Sequence, residues 1–158
     1  MFAATHMAVG ALIEAKVQKK APTALVAVAS AVVLDMTVLW HAPYSWPAGS
    51  PAIFTVIPYP HDALSIFVAV TLVVLAVAVA LLLRRYWWGM LWGLSPDIID
   101  WVILRPLTGE YRIHHLFPQI STHWGPWSFG LEMLLVVSAA LLAYRLMRKQ
   151  QTGAQLQE

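Results

Sequence analysis

His6, His41, His61, His114, His115 and His123 are the residues of this chain best suited to metal coordination or proton transfer, because a neutral imidazole offers both an N–H and a lone pair. Asp35, Asp62, Asp97, Asp100, Glu110 and Glu132 fall on the same side of the helical arrangement argued below, which is the pattern of a metal site opening to one aqueous compartment. The densest local motif is Gly93-Leu-Ser-Pro-Asp-Ile-Ile-Asp100. Asp97 and Asp100 are three residues apart, so a helix places both carboxylates on one face, where they repel unless a cation or proton separates them. The competing arrangement makes Ser95 an N-cap, Pro96 the first helical residue and Asp97 a dipole partner, and leaves Asp100 unexplained. His61 and Asp62 open a helix directly after Pro58-Tyr59-Pro60, and there Asp62 has the alternative role of a cap. His114 and His115 are adjacent and point in different directions on a helix, so one of the two faces a shared centre. With no cysteine, thiolate ligation and disulfides are excluded, and a metal must use histidine, carboxylate or water.

The elements that must carry these residues are membrane helices. Of 158 residues, 59% are hydrophobic and 11% charged, and the mean hydropathy is +0.66, too apolar for an ordinary soluble domain. Leu64 to Leu83 is a run of about twenty apolar or small residues, enough to cross roughly 30 Å of hydrocarbon. Ala21 to Trp40, Tyr86 to Leu104 and Phe129 to Met147 are further runs of this kind, and Phe2 to Val17 is a short span or an interfacial helix, with the span favoured. The expected fold is therefore all-α, a polytopic membrane bundle of about five helices forming one domain over residues 1–149, with a polar, disordered tail over 150–158.

Basic residues set the expected topology. Lys16, Lys19, Lys20, Arg84, Arg85, Arg145, Arg148 and Lys149 share one side if the first helix starts outside, which puts the N-terminus out and the C-terminus in. Trp40, Trp46, Trp101, Trp124 and Trp127 then mark the outer interface, and Trp87 and Trp88 the inner one. The histidine and carboxylate cluster faces the periplasmic or extracellular side of a cell membrane. A net charge of +2 is accounted for by these inner flanks, and nothing points to nucleic acid.

Depth singles out Asp35. It lies six residues before His41, about 9 Å below the outer end of its helix at 1.5 Å per residue, where ionisable groups face the bundle interior and are paired or functional. The proline-rich connection 41–60 is either a lid on the bundle or a stiff surface loop. Arg112, in the 105–125 loop, offers a cation to an anionic substrate. Gly89-Met-Leu-Trp-Gly93 permits close helix packing and offers a route to helix-mediated oligomers or a larger membrane complex, and Glu14 reads most simply as interfacial.

Taken in order, Thr5-His6 with Gly10, Asp35, His61 with Leu64 and Ser65, and Gly93-x-Ser95-x-x-x-x-Asp100 resemble the membrane-bound metal-dependent hydrolases that include the LexA-binding inner-membrane-associated hydrolases of bacteria. The resemblance spans roughly the first hundred residues and rests on order and spacing. It implies a compact helical membrane domain with a divalent metal near its outer surface. Where that family has Leu-Pro-Asp-Ile-Asp-His, this chain has Val33-Leu34-Asp35-Met36-Thr37-Val38, and the second histidine of its His-Arg-Gly-x-Thr-His-Ser motif is replaced by Ile66.

The resemblance implies a metal held by His6, Asp35, His61 and Asp100, with zinc expected first and magnesium or manganese if carboxylates dominate. Asp97 or Glu132 would accept a proton from the attacking water, and His114, His115 or His123 would protonate the leaving group or complete the coordination. The expected activity is hydrolysis of a membrane-associated substrate, such as a lipid phosphoester. The alternatives are a non-catalytic membrane subunit that keeps the fold and a cofactor-binding membrane protein with histidine-ligated haem. A catalytic metal requires side chains from at least three helices to converge on one point; a subunit requires the same groups dispersed or hydrogen-bonded in pairs.

Overall fold

Ala4, Ala8, Ala11 and Ala15 recur at intervals of four and three, the spacing of one helical stripe, and in the computed structural model they form the buried seam of α1 (Ala3–Val17). The structure describes residues 3–37, 63–108 and 126–155, and every regular element among them is helical. After α1 come α2 (Lys20–Thr37), α3 (Ala63–Leu82), a 3-10 turn at Arg84–Tyr86, α4 (Trp87–Ile98), a π-helical stretch Ile99–Leu104, α5 (Arg105–Thr108) and α6 (Pro126–Gln155). The 41–60 connection, His41, His61, His114, His115, His123, Asp62, Glu110, Trp40, Trp46, Trp124 and the side chains of Trp101 and Trp127 lie outside the described residues.

The first helix is the hub of the bundle. Its small residues let α2, α3, α4 and α6 all pack against it, and His6 and Thr5 are as deeply buried as the alanines. This position excludes an interfacial helix lying outside the bundle. The chain leaves α1 through Gln18, whose φ of 56° is left-handed, and the Gln18 N–H reaches the Glu14 carbonyl at 3.0 Å. That cap turns the chain sharply, and α2 begins two residues later and runs back along α1.

Hydrogen bonds fix the direction of each neighbour. The Thr5 hydroxyl meets Glu132 near the start of α6 while Gln150 Nε2 reaches the Ala15 carbonyl, so α1 and α6 run parallel. His6 lies beside Asp97 and Glu14 beside Gly89, so α1 and α4 run antiparallel. The indole Nε1 of Trp88 donates to Lys20 O at 3.0 Å, while Asp35 and Asp97 both meet His6, which sets α2 parallel to α4. In consequence Asp35, Asp97, Asp100 and Glu132 share one end of the bundle with His6, and the Lys16–Lys20, Arg84–Arg85 and Arg145–Lys149 groups share the other.

The inward stripe of α6 is Glu132, Val136, Ala139 and Ala143, again spaced by four, three and four, and it packs with Val79, Leu83, Tyr86 and Met90 around the alanines of α1. The helix continues through Gln150, where a polar tail was expected, to Gln155. Gln150 is tied on both sides, accepting from Tyr86 Oη at 3.0 Å and donating to Ala15 O at 3.0 Å, and this holds the last turns of α6 against the body.

Large apolar side chains face outward on every long helix but α1. Leu25 is 74% exposed, Leu81 68% and Leu134 62%, while Thr5, Thr23, Asp100 and Glu132 are buried. Among the described residues one helix, Gly130–Gly153 within α6, is long and apolar enough to cross a membrane. Val70–Leu82 and Arg84–Thr108 meet that standard only as a pair, and the chain turns by 86° between them.

Candidate functional site

Three stripes of residues spaced by four converge at the carboxylate end. On α1 the stripe is His6, Gly10 and Glu14; on α4 it is Gly89, Gly93 and Asp97; on α2 it is Thr23, Ala27, Ala31 and Asp35. Residues four apart stand above one another on a helix, so each stripe carries one polar side chain to its end along a track of small residues. Glycine makes the α1–α4 track possible. A Cβ at Gly10 would fall on the carbonyl of Gly89, one at Gly89 on the carbonyl of Gly10, and one at Gly93 would lie 2.5 Å from the His6 carbonyl oxygen. The two backbones therefore touch, and Asp97 is delivered to the imidazole from the next turn.

His6 Nε2 lies 3.2 Å from Asp35 Oδ1 and 3.6 Å from Asp97 Oδ2. One ligand atom from each of the three residues falls within 4.8 Å of the others, a spacing that can hold a metal ion. The His6 imidazole is buried and the two carboxylates are half-buried. His6 Nδ1 is buried with no hydrogen-bond partner among the described residues. Two carboxylates flanking a single imidazole nitrogen is a donor set suited to a divalent cation, since the anions repel without one. The residues fit a metal on this ground.

The local helix geometry around Asp97 has a specific cause. Pro96 sits inside α4 and has no N–H for the Trp92 carbonyl, and the Ser95 hydroxyl donates to that carbonyl instead, at 2.8 Å. Ser95 is thus a mid-helix residue that repairs the ladder, and the alternative in which it caps a new helix at Pro96 does not hold. Beyond Ile98 the ladder widens into the π-helical stretch, and Asp100 is fully buried in its first turn. Asp100 stands outside the group formed by His6, Asp35 and Asp97.

Of the expected metal ligands the structure thus brings His6 and Asp35 together. It adds Asp97, which the sequence offered as a proton acceptor. His61, His114, His115 and His123 lie outside the described residues. Glu132 is fully buried, and the Thr5 hydroxyl donates to its Oε1 at 2.7 Å, so the residue next to His6 holds this carboxylate in place. Sequence reasoning missed the part played by Thr5, and it missed the part played by Glu14, which is half-buried and accepts the Gly89 N–H at 2.6 Å. The available signal was spacing: Glu14 lies four residues beyond Gly10 and Asp97 four beyond Gly93, each in register with the glycine contact. Comparison of the chain with protein-family models, with curated proteins and with solved structures finds no match.

Proposed function

We propose that this chain is a polytopic helical membrane protein that binds a divalent metal through His6, Asp35 and Asp97 and hydrolyses a membrane-associated phosphoester. The convergence of those three side chains from α1, α2 and α4 carries the reading, because one imidazole nitrogen and two carboxylate oxygens within 4.8 Å of one another form a ligand set for a divalent cation. The resemblance to membrane-bound metal-dependent hydrolases, which rests on His6, Asp35 and Asp100 among others, supports it. The membrane part rests on polarity turned inside out: leucines and valines stand exposed along α2, α3 and α6 while Asp100, Glu132 and His6 are buried, the distribution expected where lipid replaces water. Two carboxylates to one imidazole leaves zinc as a candidate and gives manganese and magnesium a firm claim.

A bound divalent metal would supply an ionised water at neutral pH. The chain's own groups do the rest. Asp35 and Asp97 fix the position of the cation by charge, and His6 is held between them by burial. Glu132, oriented by the Thr5 hydroxyl, accepts a proton at its carboxylate. With the Lys and Arg groups on the cytoplasmic side, the site opens to the periplasmic or extracellular face of the inner membrane.

The test is metal content by plasma mass spectrometry on detergent-purified protein beside His6→Ala and Asp97→Asn, together with hydrolysis of bis-p-nitrophenyl phosphate and short-chain lipid phosphoesters. Roughly one equivalent of metal, lost in both variants along with turnover, supports the hydrolase. An empty wild type after metal resupply removes it. A second reading, a non-catalytic membrane subunit, is favoured by the 3.2 Å contact of His6 with Asp35, which serves equally as a plain hydrogen bond that ties α1 to α2.

A further inference from the structure

We propose that the cleft at the basic end of the bundle, opposite His6, is a binding site for a phosphate-bearing anion. The cleft has a volume of about 520 Å³ and is lined by Arg85 from the α3–α4 turn and by Arg148, Gln150, Gln151, Thr152 and Gln155 from the last turns of α6. Among the described residues its charged lining is two guanidinium groups and no carboxylate. Among the described residues neither arginine is in an ion pair. Two cations facing one cavity repel each other, and an anion between them removes that repulsion.

The remaining polar groups sort by availability. Gln150 is committed to Tyr86 and Ala15, and the Thr152 hydroxyl donates to the Arg148 carbonyl at 3.1 Å, so these two residues form a fixed wall. The guanidinium groups of Arg85 and Arg148 and the amides of Gln151 and Gln155 line the cleft as exposed side chains that can donate to a bound anion. Planar forks match the oxygens of a phosphate in pairs, which a point-charge ammonium does not. Lys16, Lys19, Lys20, Arg84, Arg145 and Lys149 surround the same end, and its described carboxylate, Glu14, is already engaged by the Gly89 N–H. The field over the cleft is therefore positive and gathers anions. The volume is in the range of small-molecule sites and exceeds what a bare phosphate fills, which suits a phosphoester such as a lipid headgroup or a soluble equivalent. The site is independent of the hydrolase reading, since no residue of the His6 group contributes to it.

The test uses the full chain in neutral detergent, titrated by calorimetry with dihexanoyl phosphatidylglycerol and, separately, with inorganic phosphate. The double variant R85Q/R148Q is compared with R84Q/R145Q, which removes the same charge from residues that do not line the cleft. The expected result is roughly tenfold weaker binding in the first than in the second. The variant R85K/R148K keeps the charge, removes the forks, and is expected to fall between wild type and R85Q/R148Q. Binding of the lipid alone identifies a headgroup, and equal binding of both probes identifies the phosphate group itself; either supports the site. Equal losses in R85Q/R148Q and R84Q/R145Q, or binding of neither probe to the wild type, overturns it.

Discussion

Gly10 of α1 and Gly89 of α4 bring two helix backbones into direct contact, each glycine lying where a side chain on the other would have to go. The obstruction is a carbonyl on a packed helix, which cannot swing aside as a side chain would. Gly10→Ala and Gly89→Ala are expected to lower stability by about 2 kcal/mol or more, measured by thermal unfolding in detergent. Gly130 and Gly153 of α6 have nothing within 4 Å of an added Cβ. Alanine at either is expected to be neutral or to stabilise by up to about 1 kcal/mol, and a loss there comparable to that at Gly10 would show that general helix effects explain both.

The buried pair of Thr5 and Glu132 predicts a sharp difference between two small substitutions. Thr5→Val keeps the shape and removes the hydroxyl that serves Glu132 Oε1, at an expected cost of about 1–3 kcal/mol. Thr5→Ser keeps the hydroxyl and is expected to cost less. A larger loss of unfolding free energy in Thr5→Ser than in Thr5→Val would assign the effect to packing of the methyl.

Glu14 caps α4 from another helix. Its carboxylate takes the Gly89 N–H, one of the donors that the first turn of α4 leaves unsatisfied. Glu14→Gln retains an acceptor and is expected to keep most of the stability, while Glu14→Ala is expected to lose about 1.5–3 kcal/mol. Hydrogen exchange at the Gly89 amide reads the difference directly, rising in the alanine variant and staying slow in the glutamine one.

Ser95 and Pro96 are expected to be energetically coupled. Ser95→Ala leaves the Trp92 carbonyl without its donor and is expected to cost about 1 kcal/mol. In a Pro96→Ala background the restored backbone N–H takes over that carbonyl, so the same serine change should cost close to nothing. A double-mutant cycle with a coupling energy near zero would rule out the repair role.

Gln18 is strained for a defined reason. A left-handed φ suits glycine, and Gln18→Gly is expected to raise stability by up to about 1 kcal/mol despite the loss of a 3.4 Å contact from its side chain to the Ala15 carbonyl.

What the sequence discloses about this protein follows the periodicity of its residues. The helical character of the chain and the apolar stretch of α6 could be reached from residue type and spacing, because burial on a helix repeats every three to four residues, while the joining of His6 with Asp35 was implied by the family resemblance. The engagement of Asp97 required one more step: Gly89, Gly93 and Asp97 form a single stripe, and so the partner of the glycines is also the partner of the carboxylate. Asp100 follows the same helix by three residues, but the intervening change to π-helical winding shifts its direction, and no composition rule signals such a change. Glu14, near Lys16, reads from the sequence as interfacial, with no sign of the partner it has. Its actual neighbour, Gly89, is 75 positions away in the chain, a pairing that local reading does not reach. The central position of α1 was hidden for a related reason, since a helix of small residues buried on nearly every side has no polar face to reveal its orientation.

The burial of α1 at the hub also dictates an order of assembly. Its contacts with α6 join Thr5 to Glu132 across 127 positions and Ala15 to Gln150 across 135, so the cavity wall around the first helix closes only when the last helix has been synthesised and docked. A chain interrupted before α6 would leave Thr5 and the part of the alanine seam that Val136, Ala139 and Ala143 cover facing outward, which makes the nascent protein dependent on shelter during translation and gives its folding the slow, late-committing character of structures held by distant pairings.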